Sequence, residues 1–540
     1  LVPQISDAQL FIGRSRPTVK AQDQRHGFAG TEVLGQVLKE GSCVAIDHDA
    51  FCGELSPSFS SEHGSYGKKR EDLATPDEKR FHAINLHPDH LLFSVYLHPM
   101  RRSPIHLLAV MLLLVPCLAF GQWTTLNAFD NTEIRSHAEY NLAFDDVMLS
   151  LLEHDVTMHR ASYEMPFLGN DITVSGAMFV PDAPETTFPV LVYHHGTTFK
   201  RQSAPSFKDD LTNLGYVMAS LGFVVLMPDY VGLGESELQH PYCHAQSESD
   251  AGWQLVQSLV DFSWELDVQL NGNLYVTGYS QGGHGVMAMA RTTMPVNLQG
   301  ELSLEAVAPL SGPYDLSGTQ LPWILDSPNY SQPAYIFYIL KGWNAVYGNL
   351  YGSLSEVCME PYASMLDSLL DGEHSGEDIN AICPDDWTSM LMPGVLEGMT
   401  GEGSALLEAA MDNDVHAWTP SFPVHMRYCT EDEEVLYENA TSAFESMSDA
   451  GANNVQAFDL GEYSHNDCAL SAISGAVLWF MSLNAQANSM SSVLGSQPCD
   501  EWEVFDALGR RVVIQDGEGM RVLFKRCVQN GQVIQWMKLR

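Results

Sequence analysis

The sequence has few basic residues for its length. Its 540 residues include 27 lysines and arginines against 68 aspartates and glutamates, which gives a formal net charge of −41 at pH 7. Between Gln122 and Cys499 the imbalance is stronger, with eight basic and 49 acidic residues. Such a surface repels nucleic-acid phosphates and anionic lipid headgroups. We therefore expect no nucleic-acid partner and no binding to anionic membranes.

Methionine is absent from the sequence before Met100, although the chain contains 23 methionines. Met100 begins the segment MRRSPIHLLAVMLLLVPCLAFGQW, in which arginines precede an apolar run and small residues follow, as in a signal peptide. The run is too short for a typical membrane span. We predict a non-native upstream extension or leader at 1–99 and a bacterial signal peptide at 100–121, so that the protein is secreted or displayed on the cell surface. Alternatively, residues 1–99 form a domain with a buried helix at 105–120.

Short β-rich runs alternate with longer amphipathic runs from about Asp171 to Ala485. This alternation is typical of parallel βαβ units. The predicted strands are 172–180, 189–195, 223–229, 273–279, 304–310, 423–429 and 454–460. The predicted helices are 207–221, 247–266, 281–293, 436–451 and 467–483. Several strands hardly alternate between apolar and polar residues, as expected when helices cover both faces of a sheet. The sequence therefore predicts an α/β domain at 122–485 with a mostly parallel central sheet.

Residues 312–420 interrupt this alternation between two predicted core strands. The first part is rich in aromatic residues, and 355–412 is acidic and helix-like. We interpret the segment as a helical cap whose aromatic side chains, including Trp323 and Tyr335, line an apolar substrate pocket. The alternative is a helical subdomain whose aromatic side chains fill its own core.

A single G-x-S-x-G motif, GYSQG, lies where the predicted strand 273–279 ends and a predicted helix begins. Glycine tolerates backbone conformations that other residues resist, so Gly278, Gly282 and Gly283 indicate a tight turn. In this context the motif is typical of a nucleophile elbow, a strained turn that projects a serine hydroxyl into a pocket. Ser280 is therefore the candidate nucleophile.

A serine nucleophile needs a base, usually a histidine that is oriented by a carboxylate. His465, in the loop after the last predicted strand, is the candidate base. Asp432, three residues beyond the strand 423–429, is the candidate acid. Three neighbouring glutamates compete for this role but are expected to be solvated loop charges: Glu431, Glu433 and Glu434. Other histidines are expected to be structural or pocket-lining: His240, His284, His416 and His425.

The oxyanion of an acyl-transfer reaction needs hydrogen-bond donors, usually two backbone amides. The amide of Gln281, at the start of the helix after Ser280, is one candidate. The second is expected from the segment VYHHGTTF, where Gly196 permits a turn and Thr197 or Thr198 donates. The residues assigned to substrate binding are His195, Tyr279, Trp323 and Tyr335.

No metal and no cofactor are predicted. The adjacent His194 and His195 would point to opposite faces of their strand. No HExxH motif and no clustered set of aspartates and histidines accompanies them in the sequence.

Ten cysteines are present, seven of them after residue 121, and an exported protein can form disulfides. Cys429 lies three residues before Asp432 and Cys468 lies three residues after His465, so we predict a disulfide between them. Further candidate pairs, which leave Cys243 unpaired, are Cys358–Cys383 and Cys499–Cys527.

Together these motifs resemble the α/β-hydrolase superfamily from about Asp171 to Ala485. Within them, the loop PDYVGLGESELQHPYCHAQSESDA at 228–251 and the long cap are similar to the secretory lipase family. This resemblance implies a secreted serine esterase or lipase that cleaves small-molecule, lipid or polymer acyl esters through an acyl-enzyme, with the cap forming an acyl tunnel. The alternatives are a serine peptidase of the same fold and a catalytically silent surface binding protein.

The composition changes again after the α/β domain. A linker is predicted at 486–499, and short strands separated by turns follow at 500–540. The segments FDALGRRV and NGQVIQWMKL resemble the C-terminal sorting domain of the type IX secretion system. This resemblance implies that secretion machinery exports the protein through the outer membrane, with removal of the tail or anchoring at the cell surface.

Overall fold

The computed structural model describes residues 122–491, except 184–185 and 402, together with three short strands beyond residue 500. The predicted extension or leader at 1–99, the signal peptide at 100–121 and the Cys499–Cys527 disulfide lie outside the described residues. The predicted linker 486–499 is described only as far as residue 491, where a helix ends.

Nine strands form one sheet in the order β1-β2-β3-β5-β4-β6-β7-β8-β9. Their bounds are β1 Gln122–Phe129, β2 Val156–Phe167, β3 Asn170–Pro181, β4 Thr187–His194, β5 Val224–Pro228, β6 Gln269–Tyr279, β7 Ser303–Leu310, β8 Val424–Tyr428 and β9 Val455–Asp459. Strands β4 to β9 run parallel, whereas β1, β2 and β3 pair antiparallel and β3 is antiparallel to β5. The mostly parallel central sheet predicted from the sequence is confirmed.

All seven predicted strands are present, as β3 to β9. The sequence prediction omits β1 and β2, which form the antiparallel edge of the sheet. Along β2, buried residues alternate with more exposed ones over much of its length. This pattern is expected for an antiparallel strand with only one face on the core, and it differs from the apolar runs of the parallel strands.

Three strands form a second, antiparallel sheet in the order β10-β11-β12. Their bounds are β10 Trp502–Phe505, β11 Arg521–Cys527 and β12 Val533–Lys538. They fall in the segment 500–540, where the sequence predicts short strands.

The α-helices of the described chain are α1 Asn131–Asn141, α2 Asp146–Leu149, α3 Leu214–Ser220, α4 Ala245–Phe262, α5 Gln281–Arg291, α6 Leu321–Leu325, α7 Pro333–Tyr347, α8 Tyr362–Leu369, α9 Gly376–Asn380, α10 Val395–Thr400, α11 Ala405–Asp412, α12 Glu438–Asp449 and α13 His465–Ser491. The helix predicted at 207–221 is wrong at its start. The Asn213 side chain accepts a hydrogen bond from the Gly215 amide at 3.2 Å and caps α3 there. Before this cap, Pro205–Phe207 form a short 3₁₀ turn.

Helices cover both faces of the central sheet. On one face, α4 and α5 contribute Leu255 and Val286 to a buried apolar cluster. On the other face, α3 and α13 contribute Val217 and Phe480 to a second cluster. Both faces of the parallel strands are therefore buried, which explains their nearly continuous apolar sequences.

One helix among the described residues is long and apolar enough to cross a membrane by length and composition. This is the segment His465–Gln486 of α13, with a mean hydropathy of 1.5. However, 61% of the apolar stretch of this helix is buried inside the protein, where Val477 and Phe480 pack against the sheet. The apolar sequence of α13 fits its position in the core.

The cap insertion, residues 312–420, connects β7 to β8 and contains helices α6 to α11. It has an apolar core of its own, in which Phe337, Trp343 and Trp387 are fully buried. Trp323 and Tyr335 are only partly buried and pack against this core. Aromatic side chains therefore build the core of the cap insertion itself, and a pocket-lining role for Trp323 and Tyr335 stays a prediction.

The predicted Cys429–Cys468 disulfide is confirmed, and it joins the residue after β8 to the first turn of α13. The predicted Cys358–Cys383 pair is wrong, because both residues are free thiols. The Cys383 thiol instead donates to the Ile379 carbonyl at 3.4 Å, while Cys358 is buried in the core of the cap insertion.

Candidate active site

Ser280 forms the connection between β6, which ends at Tyr279, and α5, which begins at Gln281. Its backbone has φ 61° and ψ −124°, a conformation that costs a residue with a Cβ atom about 1–3 kcal/mol. The Ser280 amide donates to the Leu310 carbonyl at 2.9 Å, and the Ser280 carbonyl accepts from the Gly283 amide at 2.8 Å. These bonds hold the strained turn between the sheet and the helix.

The glycines around the candidate nucleophile are required by close backbone contacts. A Cβ atom at Gly278 would lie 2.5 Å from the His194 carbonyl oxygen, and one at Gly282 would collide with the same oxygen. A Cβ atom at Gly283 would lie 2.7 Å from the Leu310 carbonyl oxygen. The missing side chains let β4 and β7 approach the turn, as a nucleophile elbow requires.

Asp432 and His465 are hydrogen-bonded to each other. Asp432 Oδ2 lies 2.7 Å from His465 Nδ1, and both residues are buried. The other carboxylate oxygen, Oδ1, accepts from the amides of Glu434 and Val435 at 3.1 and 2.9 Å. Because Asp432 occupies Nδ1, the other ring nitrogen, Nε2, is the one available to a reacting group.

Two further carboxylates lie close to His465. Glu433 Oε2 accepts from the His465 amide at 3.0 Å, and Glu434 Oε2 lies 3.8 Å from His465 Nε2. Burial by itself lowers the pKa of His465. The hydrogen bond to Asp432 and the charges of the three carboxylates outweigh burial and raise this pKa above the ordinary 6.5.

The elbow and the histidine are connected through Tyr279. Its hydroxyl donates to the His465 main-chain carbonyl at 2.5 Å, and the two ring centroids are 5.0 Å apart. Since Tyr279 directly precedes Ser280, the candidate nucleophile neighbours a residue that contacts the candidate base. Within the described part of the chain, Ser280 Oγ and His465 Nε2 are not hydrogen-bonded to each other.

The loop after β4 lies against the elbow. A Cβ atom at Gly196 would lie 3.8 Å from Ser280 Cβ, so this loop passes close to the candidate nucleophile. The next residue, Thr197, is hydrogen-bonded through Oγ1 to the Tyr242 hydroxyl at 2.9 Å. Gln281 begins α5, where the first backbone amides have no acceptor within the helix. Gln281 therefore directly follows Ser280 in the chain, and Thr197 directly follows the glycine that passes close to it.

A buried polar network holds the side chain of Gln281. Its Nε2 lies 2.9 Å from both Glu248 Oε1 and His240 Nε2. Glu248 Oε2 also lies 2.6 Å from His284 Nδ1, and His284 Nε2 lies 2.9 Å from the Asn413 carbonyl oxygen. The network fixes the first turn of α5, and it gives His240 and His284 structural positions.

His195 binds backbone groups. Its Nδ1 lies 2.7 Å from the Gly196 carbonyl oxygen, and its Nε2 lies 3.3 Å from the Asp229 carbonyl oxygen. Its ring centroid is 4.4 Å from that of Tyr230. Desolvation lowers the pKa of His195 to about 4, against the opposite effect of the two carbonyls. The neutral ring has one N–H and can donate to one of these two carbonyls, and it braces the loop that carries Thr197.

The two cap residues assigned to substrate binding lie in different surroundings. The Tyr335 hydroxyl donates to Glu434 Oε2 at 2.9 Å, and its ring centroid is 5.8 Å from that of Tyr242. Trp323 packs edge-on against Tyr330, with ring centroids 5.5 Å apart. The Tyr330 hydroxyl donates to the Glu434 main-chain carbonyl at 2.8 Å. Tyr335 therefore contacts the acid loop directly, whereas Trp323 reaches it through Tyr330.

The prediction that Glu434 is a solvated loop charge is wrong, because this residue is only 5% exposed. Its neighbours Glu431 and Glu433 are exposed, as expected. The cap insertion covers the Glu434 carboxylate through hydrogen bonds from Tyr335 and from Gln332 Nε2, the latter at 3.2 Å. Nothing local in TEDEEV separates the three glutamates, since the covering tyrosine lies 99 positions earlier in the chain.

Among the described residues, two groups of side chains have ligand atoms close enough to share a cation: Cys243, Glu248 and His284, and Asp315, Asp414 and His416. In the first group, Glu248 and His284 already bind each other. In the second, the two carboxylates accept hydrogen bonds from Ser317 and Thr319. The carboxylates of both groups already bind protein side chains, and we assign no metal to either group.

No family model and no curated protein sequence matches this chain. Solved structures do match it. A candidate hydrolase from Legionella pneumophila superposes with a TM-score of 0.61 at 22% sequence identity, covering 68% of this chain and 98% of the other. The rice cell wall degrading esterase LipA from Xanthomonas oryzae superposes with a TM-score of 0.57 at 26% identity, with the same coverage. Candida antarctica lipase A in its closed state gives a TM-score of 0.50 at 12% identity, covering 70% of this chain and 83% of the other.

These structural neighbours include an esterase and a lipase. The chain therefore has the α/β-hydrolase fold, and its structural neighbours support a hydrolytic enzyme.

Proposed function

We propose that the protein is a secreted serine carboxylester hydrolase, an esterase or lipase, that cleaves acyl esters through a Ser280, His465 and Asp432 triad. The observation that carries this proposal is the buried Asp432–His465 hydrogen bond of 2.7 Å, together with a serine held at φ 61° directly after Tyr279, which binds the His465 carbonyl. A hydroxyl in that conformation together with a carboxylate-oriented imidazole matches the requirements of nucleophilic acyl transfer.

In the first half of the reaction, Ser280 Oγ attacks the ester carbonyl carbon while His465 Nε2 accepts the hydroxyl proton. The carbonyl oxygen becomes an oxyanion that the amides of Gln281 and Thr197 stabilise. Asp432 keeps the proton of Nδ1 in place and stabilises the imidazolium. His465 Nε2 then donates its proton to the leaving alcohol, and the acyl group remains on Ser280.

In the second half, His465 Nε2 accepts a proton from water while the water oxygen attacks the acyl carbon. The bond between this carbon and Ser280 Oγ then breaks, His465 returns the proton to Oγ, and the carboxylic acid leaves. Tyr279 and the network around Gln281 support both halves because they hold the histidine and the first turn of α5 in place. In this proposal the cap insertion supplies the wall of the pocket, and Tyr335, which donates to Glu434, lies at its edge. The reaction as written needs no cofactor.

Export of the protein is part of the proposal. The Cys429–Cys468 disulfide supports it, since disulfides persist in oxidising compartments outside the cytoplasm. We propose that the signal peptide at 100–121 starts export and that the segment 500–540 binds the type IX secretion machinery.

Labelling of the full chain with a fluorophosphonate probe tests the nucleophile. The parent protein should be labelled, and Ser280→Ala should abolish labelling while the thermal unfolding temperature stays within the range of the parent. A parent protein that is not labelled would support a catalytically silent binding protein and contradict the proposal.

A panel of p-nitrophenyl esters and chromogenic peptides tests the reaction class. We expect hydrolysis of the esters, with an acyl-length optimum set by the pocket, and no cleavage of the peptides. Cleavage of peptides without cleavage of esters would instead identify a serine peptidase of the same fold.

A further inference from the structure

A second carboxylate lies beside the reactive face of the candidate base. Glu434 Oε2 is 3.8 Å from His465 Nε2, and the Glu434 side chain is 7% exposed. Asp432 already binds the other ring nitrogen of His465 at 2.7 Å. Glu434 therefore adds a negative charge on the side of the ring from which a substrate group must approach.

The cap insertion holds this carboxylate in position. The Tyr335 hydroxyl donates a hydrogen bond to Glu434 Oε2 at 2.9 Å, and Gln332 Nε2 donates one to Glu434 Oε1 at 3.2 Å. The main-chain carbonyl of Glu434 accepts from the Tyr330 hydroxyl at 2.8 Å and from Gln320 Nε2 at 3.0 Å. Four contacts from one segment leave the carboxylate little freedom to turn towards solvent.

The proposed reaction determines which part of the substrate lies next to the Glu434 carboxylate. His465 Nε2 must reach the leaving-group oxygen within about 3 Å to protonate it. A group 3.8 Å from the same nitrogen is then a neighbour of the alcohol part of the ester. The acyl carbonyl lies at the other end of the site, near the amides of Gln281 and Thr197.

No lysine or arginine in the described part of the chain forms an ion pair with Glu434, whose ion-pair partner is His465. Asp432 and Glu433 add further negative charge around the same histidine. Burial raises the pKa of Glu434, and the charge of His465 opposes this effect. The alcohol side of the site is therefore negatively charged and partly shielded from water, which strengthens its interaction with a charged group.

We propose that Glu434 and Tyr335 form a leaving-group subsite that favours esters of cationic or hydroxyl-bearing alcohols and disfavours esters of anionic alcohols. This inference rests on the serine esterase function proposed above. A positive charge on the alcohol is attracted to the Glu434 carboxylate, a hydroxyl donates to it, and an anionic group is repelled. In this role Glu434 determines specificity, since the bond-breaking steps belong to Ser280 and His465.

Three esters of one acyl group and similar alcohols test this subsite: the choline ester, the neutral 3,3-dimethylbutyl ester and the anionic isethionate ester. For the parent enzyme we expect kcat/KM to fall in that order. In Glu434→Gln, the ratio of the choline ester to the isethionate ester should fall at least about tenfold, as expected for loss of a nearby charge in a partly buried site. Any change in the basicity of His465 affects all three esters and cancels in this ratio.

Glu431→Gln is the matched control. It removes one negative charge from the same loop at an exposed side chain, so the ratio should stay close to that of the parent. Tyr335→Phe removes the hydrogen bond that holds Glu434 and should lower the ratio by a smaller factor. Thermal unfolding and fluorophosphonate labelling of each variant confirm that it is folded.

The outcomes separate this inference from the function on which it rests. A parent enzyme that cleaves none of the three esters, nor any p-nitrophenyl ester, contradicts the proposed function. A parent enzyme that cleaves choline and isethionate esters equally well contradicts the subsite, even if Glu434→Gln fails to fold. An unchanged ratio in folded Glu434→Gln contradicts it as well.

Discussion

At the scale of single residues, the site depends on the absence of side chains as much as on their presence. Ser280 occupies a strained conformation that is held by contacts between three backbone segments. Gly282 lies so close to the His194 carbonyl that no Cβ atom fits between them. The glycine is therefore necessary for the position of the serine hydroxyl.

Replacing this glycine should damage both activity and stability. We expect Gly282→Ala to abolish fluorophosphonate labelling and to lower the free energy of unfolding by about 1–3 kcal/mol, because the added methyl group overpacks the turn. Chemical denaturation and probe labelling measure the two effects. Gly398→Ala is the matched control, since Gly398 also lies in a helix but has open space around it. Gly398→Ala should leave the free energy of unfolding unchanged or raise it. An equal loss of labelling and of stability in both variants would contradict the explanation.

Asp432 acts through His465 in the proposed mechanism. Replacing its carboxylate by an amide keeps the shape but no longer stabilises the required tautomer and the imidazolium. We expect Asp432→Asn to lower kcat by about 10⁴-fold with a small change in KM. Steady-state kinetics on a p-nitrophenyl ester measure this effect, with Glu431→Gln as the control. If Asp432→Asn keeps most of its activity, another carboxylate orients the histidine.

The pH profile should report the raised pKa of His465. The imidazole acts as a base only when it is neutral, so activity is lost as the pH falls through this pKa. Because three carboxylates raise the pKa, the acidic limb of kcat/KM should have its midpoint above 6.5. Glu434→Gln removes one of the raising charges and should move the midpoint to lower pH, whereas Glu431→Gln should leave it in place. A midpoint below 6.5 in the parent enzyme would show that burial dominates.

At the scale of elements, the site is assembled from segments that are distant in the chain. β6 and α5 present Ser280, the loop after β8 presents Asp432, and α13 begins with His465. Residues from the cap insertion then cover the acid loop. The Cys429–Cys468 disulfide links the segment before Asp432 to the helix that begins with His465.

Removing this disulfide should destabilise the protein and weaken the hydrogen bond between Asp432 and His465. The bridge closes a loop with a sequence separation of 39 residues, for which the chain-entropy estimate is about 4 kcal/mol. We expect the double variant Cys429→Ser and Cys468→Ser to unfold at lower temperature, and to lose activity at temperatures below its own unfolding transition. Thermal unfolding followed by circular dichroism and parallel activity assays measure both. Cys383→Ser, at a free thiol far from the acid loop in sequence, is the control and should change neither property much.

At the scale of the whole molecule, negative charge dominates. The formal net charge is −41, and the segment from Gln122 to Cys499 contains only eight basic residues against 49 acidic ones. Self-repulsion of this size opposes compact folding and is weakened by salt. The stability of the protein should therefore depend strongly on ionic strength.

The expected result is a rise in Tm with added salt. The screening length falls from about 30 Å at 0.01 M to about 3 Å at 1 M, so Tm should rise over this range. Because screening depends on ionic strength and not on the identity of the ions, sodium chloride and potassium chloride should act alike. Differential scanning calorimetry measures the effect. A Tm that falls or stays constant would show that attractive ion pairs outweigh the net repulsion.

Much of the fold could be predicted from the sequence, and the errors have physical causes. The parallel strands are apolar runs between turn residues, so their positions are encoded locally. The antiparallel strand β2 has a different pattern because only one of its faces is on the core. The start of α3 depends on the cap at Asn213, and the free thiols of Cys358 and Cys383 depend on the packing of the cap insertion.

The sequence by itself determined the layered α/β architecture and the turn at Ser280, because periodicity and glycine requirements act over a few neighbouring residues. Tertiary structure alone decided the environment of Glu434, which the sequence TEDEEV predicts to be a solvated charge. Asp432 binds the imidazole of His465, Glu431 stays in solvent, and Glu434 is buried against His465 by tyrosines of the cap insertion. Identical carboxylates acquire different environments because burial and hydrogen bonding depend on segments that are distant in the chain and close in space.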